Sequence, residues 1–233
     1  MAETSELEQT LDYYFQDKDL LQEALVHSSL LNENHAPGIE CNERLEYLGD
    51  AALGLIIAHE LFVLMPEVDE GELTRLRSRL VCSATLGFLG KNIQLGRYLF
   101  MGKGEEASGG RNKATNLARG LEAILGAVYL DGGLEKTRGV IRRLYGSELQ
   151  EIAHSQLCAD SKSRLQEIAH AMRLGFPVYN IVESNGPVHK PEFTAEVILE
   201  DKVIATGKGK SKKLAEADAA FNAIKLLTNS KGG

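Results

Sequence analysis

The 233-residue chain has no tryptophan, only three cysteines and five prolines. It also has no unbroken apolar run of the roughly 18 to 20 residues that span a bilayer. Each shortage excludes something. Cys41, Cys82 and Cys158 are scattered and odd in number, with no C-x-x-C and no His–Cys cluster. That argues against a disulfide framework and against zinc, and for free thiols in a reducing cytoplasm. No membrane partner is expected. The opening "MAETSELEQTLDYYF" is acidic and lacks the basic segment and apolar stretch of a secretory signal. A phosphate loop is missing as well. "GFLGKN" at 87–92 separates its glycines by only two residues, and no Ser or Thr follows the lysine, so no nucleotide cofactor is expected. The six histidines stand apart from one another, as surface or hydrogen-bonded residues do.

What is present is an uneven distribution of charge. The net charge is −7. From Asp160 onward there are 11 Lys+Arg against 9 Asp+Glu, a net of +2, while residues 1–159 hold 15 against 24, a net of −9. Halves of opposite sign suggest two modules with different tasks. Hydrophobic periodicity agrees. "DKDLLQEALVH", "ERLEYLGDAALGLIIAHELF", "ELTRLRSRLVCSATLGFLGKNI", "ATNLARGLEAILGAVYL" and "LEKTRGVIRRLYGSELQEI" carry apolar residues at spacings of three and four, which predicts helices. Breaks are expected at "NENHAPG", "MPEVDEG" and "GKGEEASGGRNK", the last as a mobile loop whose Lys103, Arg111 and Lys113 could touch phosphates.

The texture then changes. "SKSRLQEIAHAMRLG" reads as a helix ended by Gly175. "VYNIVES", "EFTAEVILE" and "KVIATGKG" read as strands, and "SKKLAEADAAFNAIKLL" as a closing helix with Ser211 as N-cap. The expected organisation is an all-α domain over 1–154, a linker at 155–159 and a small α+β module, α-β-β-β-α, over 160–229.

"CNERLEYLGDAALGLIIAHEL" at 41–61 places three acids at the mouth of an apolar helix. At about 100° per residue, Glu43, Glu46 and Asp50 fall at roughly 0°, 300° and 340°, on one face. Carboxylates so gathered repel unless protonated or neutralised, and oxygen-only donors suit Mg²⁺ or Mn²⁺. An acidic first turn favoured by the helix dipole is the other reading. Glu122 sits among Leu121, Ala123, Ile124 and Leu125 in a second apolar helix. It either approaches the core or reaches water from its margin. In the second half, Lys202, Lys208, Lys210, Lys212 and Lys213 form a stretch without acids, ending where a helix N-terminus also favours phosphate. A lysine-rich loop serving only solubility is the alternative.

"NERLEYLGDA", followed in order by "EGELTRLRSRLV", "LGRYLFMGKGEEASGGR" and "LEAILGAVYLDGG", resembles the ribonuclease III family over essentially the whole chain. The resemblance implies an all-helical endonuclease that cuts double-stranded RNA as a homodimer with Mg²⁺, or Mn²⁺ in its place. It implies 5′-phosphate products with short 3′ overhangs, and a role in ribosomal and messenger RNA processing. Carried over by position, Glu46, Asp50 and Glu122 match metal ligands, with Asp50 and Glu122 as catalytic carboxylates. Glu43 matches an acidic position near the dimer contact and substrate. The family usually has Asp three residues before that Glu, and here the residue is Arg119. A guanidinium cannot ligate a cation. Asp131, nine residues beyond Glu122, would face away. Arg119 is expected to raise the metal requirement, or to pair with a carboxylate such as Glu43, or to meet an RNA phosphate. The alternative is a duplex-binding protein that cuts weakly. A purely structural helical dimer would leave the second module unexplained. That module resembles the double-stranded RNA-binding domain, which implies RNA contacts from Gln166, Glu167, the loop at Pro187 and His189, and Lys210, Lys212 and Lys213. Such domains read the A-form shape of RNA rather than its sequence.

Overall fold

The computed structural model describes residues 4–34, 40–66, 68–146, 148–149, 152, 161–185 and 191–229. It divides into two compact units, Met1–Gly146 and Ser147–Gly233. The linker expected at 155–159 lies outside the described residues, as do Pro187 and His189.

The first unit is helical throughout: α1 (Thr4–Leu11), α2 (Lys18–Ala24), α3 (Ser28–Asn34), α4 (Glu43–Leu64), α5 (Glu70–Val81), α6 (Ser83–Asn92), α7 (Lys103–Ala107) and α8 (Ala114–Leu144). Local chemistry sets several boundaries. Asp17 and Asp69 cap α2 and α5, their carboxylates accepting from the N–H groups of Asp19 and Glu72. The stretch from 72 to 93, expected as one helix, is two. Cys82 between α5 and α6 is extended (φ −71°, ψ 152°) and breaks the ladder. The two helices expected on either side of Gly133 are found: that residue is non-helical (φ 76°, ψ −176°) and kinks α8 between them. "GKGEEASGGRNK" is not an open loop. It contains α7 and is knotted by Lys113 and Asn116 donating to Glu105, and by Arg111 donating to Glu106 and to the carbonyls of Gly96 and Leu99. Arg111 and Lys113 are thereby committed to structure rather than to phosphate.

The core runs between α4 and α8. Leu53, Ile56, Ile57 and Leu61 of α4 and Leu121, Ile124, Leu125 and Val128 of α8 are almost wholly buried. By length and composition alone α4 could cross a bilayer, contrary to the expectation from its apolar runs. Its packing is that of a core helix. One face is buried against α8, and buried Glu60 is paired with Arg138 and Arg142. Asp131 does face away from the acidic cleft. It accepts from the Tyr13 hydroxyl and from the N–H groups of Gln16 and Asp17, tying the N-terminal segment to α8.

The second unit follows the expected order: α9 (Ser161–Ala171), β1 (Val178–Asn185), β2 (Glu192–Leu199), β3 (Lys202–Gly209) and α10 (Lys212–Asn229). The strands form an antiparallel sheet in the order β1-β2-β3. Glu200 and Asp201 make the tight β2–β3 turn, both with positive φ. α9 ends before Gly175. Arg173 takes the left-handed position (φ 58°), with Leu174 N–H reaching the Ala169 carbonyl and Arg173 N–H the His170 carbonyl. The core is aliphatic and small: Leu165, Ala195, Val197, Ala215, Ala219, Ala220, Ala223 and Ile224.

Candidate active site and duplex-binding face

The site in the first unit exists because two helices come unusually close. A Cβ on Gly49 of α4 would lie 1.8 Å from the Glu122 carbonyl oxygen of α8, and one on Gly126 would lie 2.2 Å from the Leu45 carbonyl oxygen. Only hydrogen fits at either place. The contact fixes the height at which α4 meets α8, and so brings the acids flanking Gly49 alongside Glu122. Asn42 anchors the start of α4 from below. Its side chain donates to the Ala24 carbonyl and its backbone N–H to the Val26 carbonyl. It offers α4 no side-chain cap, so acids in that first turn meet exposed N–H groups.

The result is a cleft of about 500 Å³ lined by Glu43, Glu46, Tyr47, Asp50, Arg119 and Glu122. All four acids singled out in the sequence therefore share one surface. Glu43 and Asp50 are exposed, while Glu46 and Glu122 are half-buried. Glu122 does approach the core: burial first, then the charges of Asp50 and Glu46, push its pKa up to about 7, against a pull downward from Arg119. Glu46 is raised too, by burial, with Arg119 opposing and Glu43 and Asp50 adding to it. Arg119 faces the cleft and pairs with Glu46, Nε to Oε1 3.6 Å. The carboxylate it meets is thus Glu46, and not Glu43.

Among the described residues no three His, Cys, Asp or Glu side chains stand close enough together to form a ready cation cage. The donor chemistry nonetheless fits a hard divalent ion. The donors are oxygens only and they open to solvent, and four carboxylates face a single guanidinium, Arg119. Glu46, Asp50 and Glu122 are the residues that would hold such an ion.

The second unit presents the expected basic face. Ser211 caps α10, its hydroxyl accepting from Leu214 N–H. Lys210, Lys212 and Lys213 are exposed around that helix start, and Gln166 and Glu167 are exposed on α9. Lys202 does not join them. It opens β3, seven residues before Gly209, roughly 23 Å away along an extended strand. Two contacts hold the lysine turn in place. β3 meets α10 without intervening side chains, since a Cβ on Gly207 would lie 2.0 Å from Ala219 N. Asp218, to which the sequence assigns no role, accepts from Lys208 N–H. Its signal was one of two acids, Glu216 and Asp218, on an alanine-rich helix. For Gly49 and Gly126 the signal was a small residue interrupting each of two apolar helices. Tyr47, on the cleft rim and largely exposed, had no signal of its own.

Comparison with known proteins accords with this geometry. A Ribonuclease-III-like family model matches residues 17–149, and a double-stranded RNA binding motif matches residues 161–227. The chain is 46% identical over 232 residues to Ribonuclease 3 of Dehalococcoides mccartyi, covering 99% of this chain and 97% of that protein. It is 46% identical over 225 residues to Ribonuclease 3 of Carboxydothermus hydrogenoformans, covering 97% and 96%. Among solved structures, the nuclease domain of ribonuclease III from Campylobacter jejuni aligns with a TM-score of 0.58 at 37% identity, over 62% of this chain and 97% of that one. That structure is described for flexibility in a region involved in dimer formation.

Proposed function

This chain belongs to the ribonuclease III family and is a nuclease of that family, and from that premise we propose that it hydrolyses phosphodiester bonds of double-stranded RNA with Mg²⁺. The observation that carries the reading is the convergence of Glu46, Asp50 and Glu122 on one cleft, joined in one chain to a duplex-binding module. Asp50 and Glu46 of α4 and Glu122 of α8 are the residues that would hold the cation. A bound divalent ion supplies a water of lowered pKa and neutralises charge at the phosphate. The helix pair supplies rigidity: the carboxylates ride on backbones locked at Gly49 and Gly126, so their spacing is set before substrate arrives. Lys210, Lys212 and Lys213 hold duplex backbone by charge, and the exposed Gln166 and Glu167 face 2′-hydroxyls.

The products expected are 5′-phosphates with short 3′ overhangs, and structured ribosomal and messenger precursors are the expected targets. A homodimer belongs to the proposal, supported by exposed Tyr47, Leu55, Phe62 and Val63 on α4. A reducing compartment, the cytoplasm, does too, resting on the free thiols of Cys41 and Cys82. The alternative of a weakly cutting binder rested on Arg119, and near-full-length similarity to proteins named Ribonuclease 3 does not favour it. Incubating purified protein with long duplex RNA and with single-stranded RNA, each with and without Mg²⁺, tests the reading. Duplex-specific, Mg²⁺-dependent cutting is expected, and a chain that leaves duplex intact at every Mg²⁺ and Mn²⁺ concentration is not a nuclease.

A further inference from the structure

The cleft holds four acids and one base, and the base is poorly used. Arg119 lies three residues before Glu122, on the same face of α8. Its Nε stands 3.6 Å from Glu46 Oε1, an ion pair. That distance is too long for a hydrogen bond, and among the described residues no hydrogen bond from this guanidinium is found. Its side chain is 57% exposed, whereas that of Glu46 is 26% exposed. The contrast with Arg111 is instructive. That side chain spends its donors on Glu106 and two backbone carbonyls and is locked in place. Arg119 is held by charge alone, at the mouth of a cleft whose substrate is a polyanion. A planar fork of N–H donors matches a phosphate better than it matches a carboxylate seen off-axis.

We infer that Arg119 is an exchangeable cation of the cleft: it occupies Glu46 in the free protein and passes to a non-bridging phosphate oxygen of bound RNA, which releases Glu46 to the divalent ion. The inference rests on the nuclease reading. It gives Arg119 two opposite effects. Before RNA arrives it competes with the metal for Glu46. Once RNA is bound it adds a contact to the substrate and removes that competition, so RNA and metal favour each other's binding. No bond is made or broken in the exchange.

The test uses the full-length protein and three forms of position 119: wild type, Arg119→Gln and Arg119→Lys. Mn²⁺ binding to the RNA-free protein is followed by calorimetry, and kcat/KM on a duplex is measured at saturating metal. Arg119→Gln is expected to tighten Mn²⁺ by about two- to fivefold, the scale of a part-exposed ion pair. The same change is expected to lower kcat/KM by about tenfold or more, the loss of a donor aimed at a phosphate. Arg119→Lys keeps the charge and loses the fork, so Mn²⁺ affinity should return to the wild-type value while kcat/KM recovers only in part. A damaged fold would weaken both readouts together, and opposite signs are the signature. Unchanged Mn²⁺ affinity in Arg119→Gln overturns the competition for Glu46, and unchanged kcat/KM overturns the transfer to phosphate. A wild type that cuts no duplex defeats the nuclease reading and the phosphate role with it, while the Mn²⁺ measurement alone still decides whether Arg119 withholds Glu46.

Discussion

On the proposed reading the two units meet the same polyanion with opposite charge, and they are built differently. In the first, Glu43, Glu46, Asp50 and Glu122 share a cleft with one guanidinium. Like charges so placed repel, and burial first, then that repulsion, raises the pKa values of Glu46 and Glu122 against the opposing pull of Arg119. Side chains that repel stay together only if the backbones beneath them cannot yield, and the glycine contact between α4 and α8 provides that. In the second unit, Lys210, Lys212 and Lys213 are exposed to water around one helix start. Their mutual repulsion is screened, and the turn that carries them is held by the close β3–α10 approach at Gly207 and by Asp218. The acidic site needs its backbones fixed against repulsion, whereas the basic one needs only its turn fixed.

The largest way to break this comparison is to remove charge from the cleft while leaving the lysines. Asp50→Asn and Glu122→Gln keep shape and delete a donor charge. Each should lower the cutting rate by about a hundredfold or more, with duplex affinity in a mobility-shift assay held near wild type. Cutting at near the wild-type rate would take these residues out of the reaction. The next largest acts on the rigidity itself. Gly49→Ala drives a methyl into the Glu122 carbonyl and should cost about 3 kcal/mol by overpacking, with a fall of about 6 to 12 °C in Tm. Gly139→Ala, on the same helix system with nothing within 4 Å, should instead be neutral or stabilising by up to about 1 kcal/mol. Equal melting of the two variants would mean that the crossing does not depend on Gly49.

What could be read in the sequence follows the same division. The second unit was legible almost residue by residue. Strand alternation, the two-residue turn at Glu200–Asp201 and the Ser211 cap are all local signals, and the strands came out within a residue of expectation. The cleft was legible only as separate acids. Helical phase put Glu43, Glu46 and Asp50 on one face, but nothing periodic relates them to Glu122, some 70 residues away. The family resemblance supplied that link, and the glycines that enforce it passed unnoticed. The break at Cys82 was missed because apolar spacing of three and four continues through it. The break at Gly133 was read, because the paired glycines interrupt the pattern. The partner of Arg119 was also beyond reach, because which carboxylate it meets depends on the crossing of α4 and α8.

On the basic side the comparison sharpens with salt. Lys212→Gln and Lys213→Gln should each weaken duplex binding about equally for unrelated duplex sequences. Each should also reduce the slope of log affinity against log salt by about one phosphate contact. Both are exposed, so the fold should be untouched and Tm unchanged. Lys202→Gln, at the far end of β3, is the control and should leave the slope as it is. A slope that drops equally for Lys202→Gln would mean that binding senses net charge rather than the lysine turn.

The smallest effect concerns acids that serve structure rather than the cleft, and it runs in the opposite direction from the cleft acids. Glu105 is held below the usual carboxylate range, chiefly by the hydrogen bond from Lys113 and then by that from Asn116. At Asp131 burial works upward, but the hydrogen bonds from the Tyr13 hydroxyl and the N–H groups of Asp17 and Gln16 outweigh it, and its pKa is lowered from 3.8. A group whose folded pKa is depressed binds protons more readily when unfolded. Its stabilisation is complete above the unfolded value and is lost as pH falls through the folded one. For both groups that window lies in the acid range, at and below about pH 4. Wild-type Tm should therefore decline on acidification through that window, and Asp131→Asn and Glu105→Gln should each flatten the decline while lowering Tm at neutral pH. Glu122 carries the reverse sign. Its folded pKa is raised to about 7, so its ionisation opposes folding as pH rises from the ordinary glutamate value of 4.5 toward 7. In metal-free buffer Glu122→Gln should remove that loss, leaving a Tm at pH 8 closer to its value at pH 5 than in wild type. If Asp131→Asn and Glu122→Gln shift the pH dependence of Tm in the same direction, then the structural acids and the cleft acids do not differ in the way their surroundings imply.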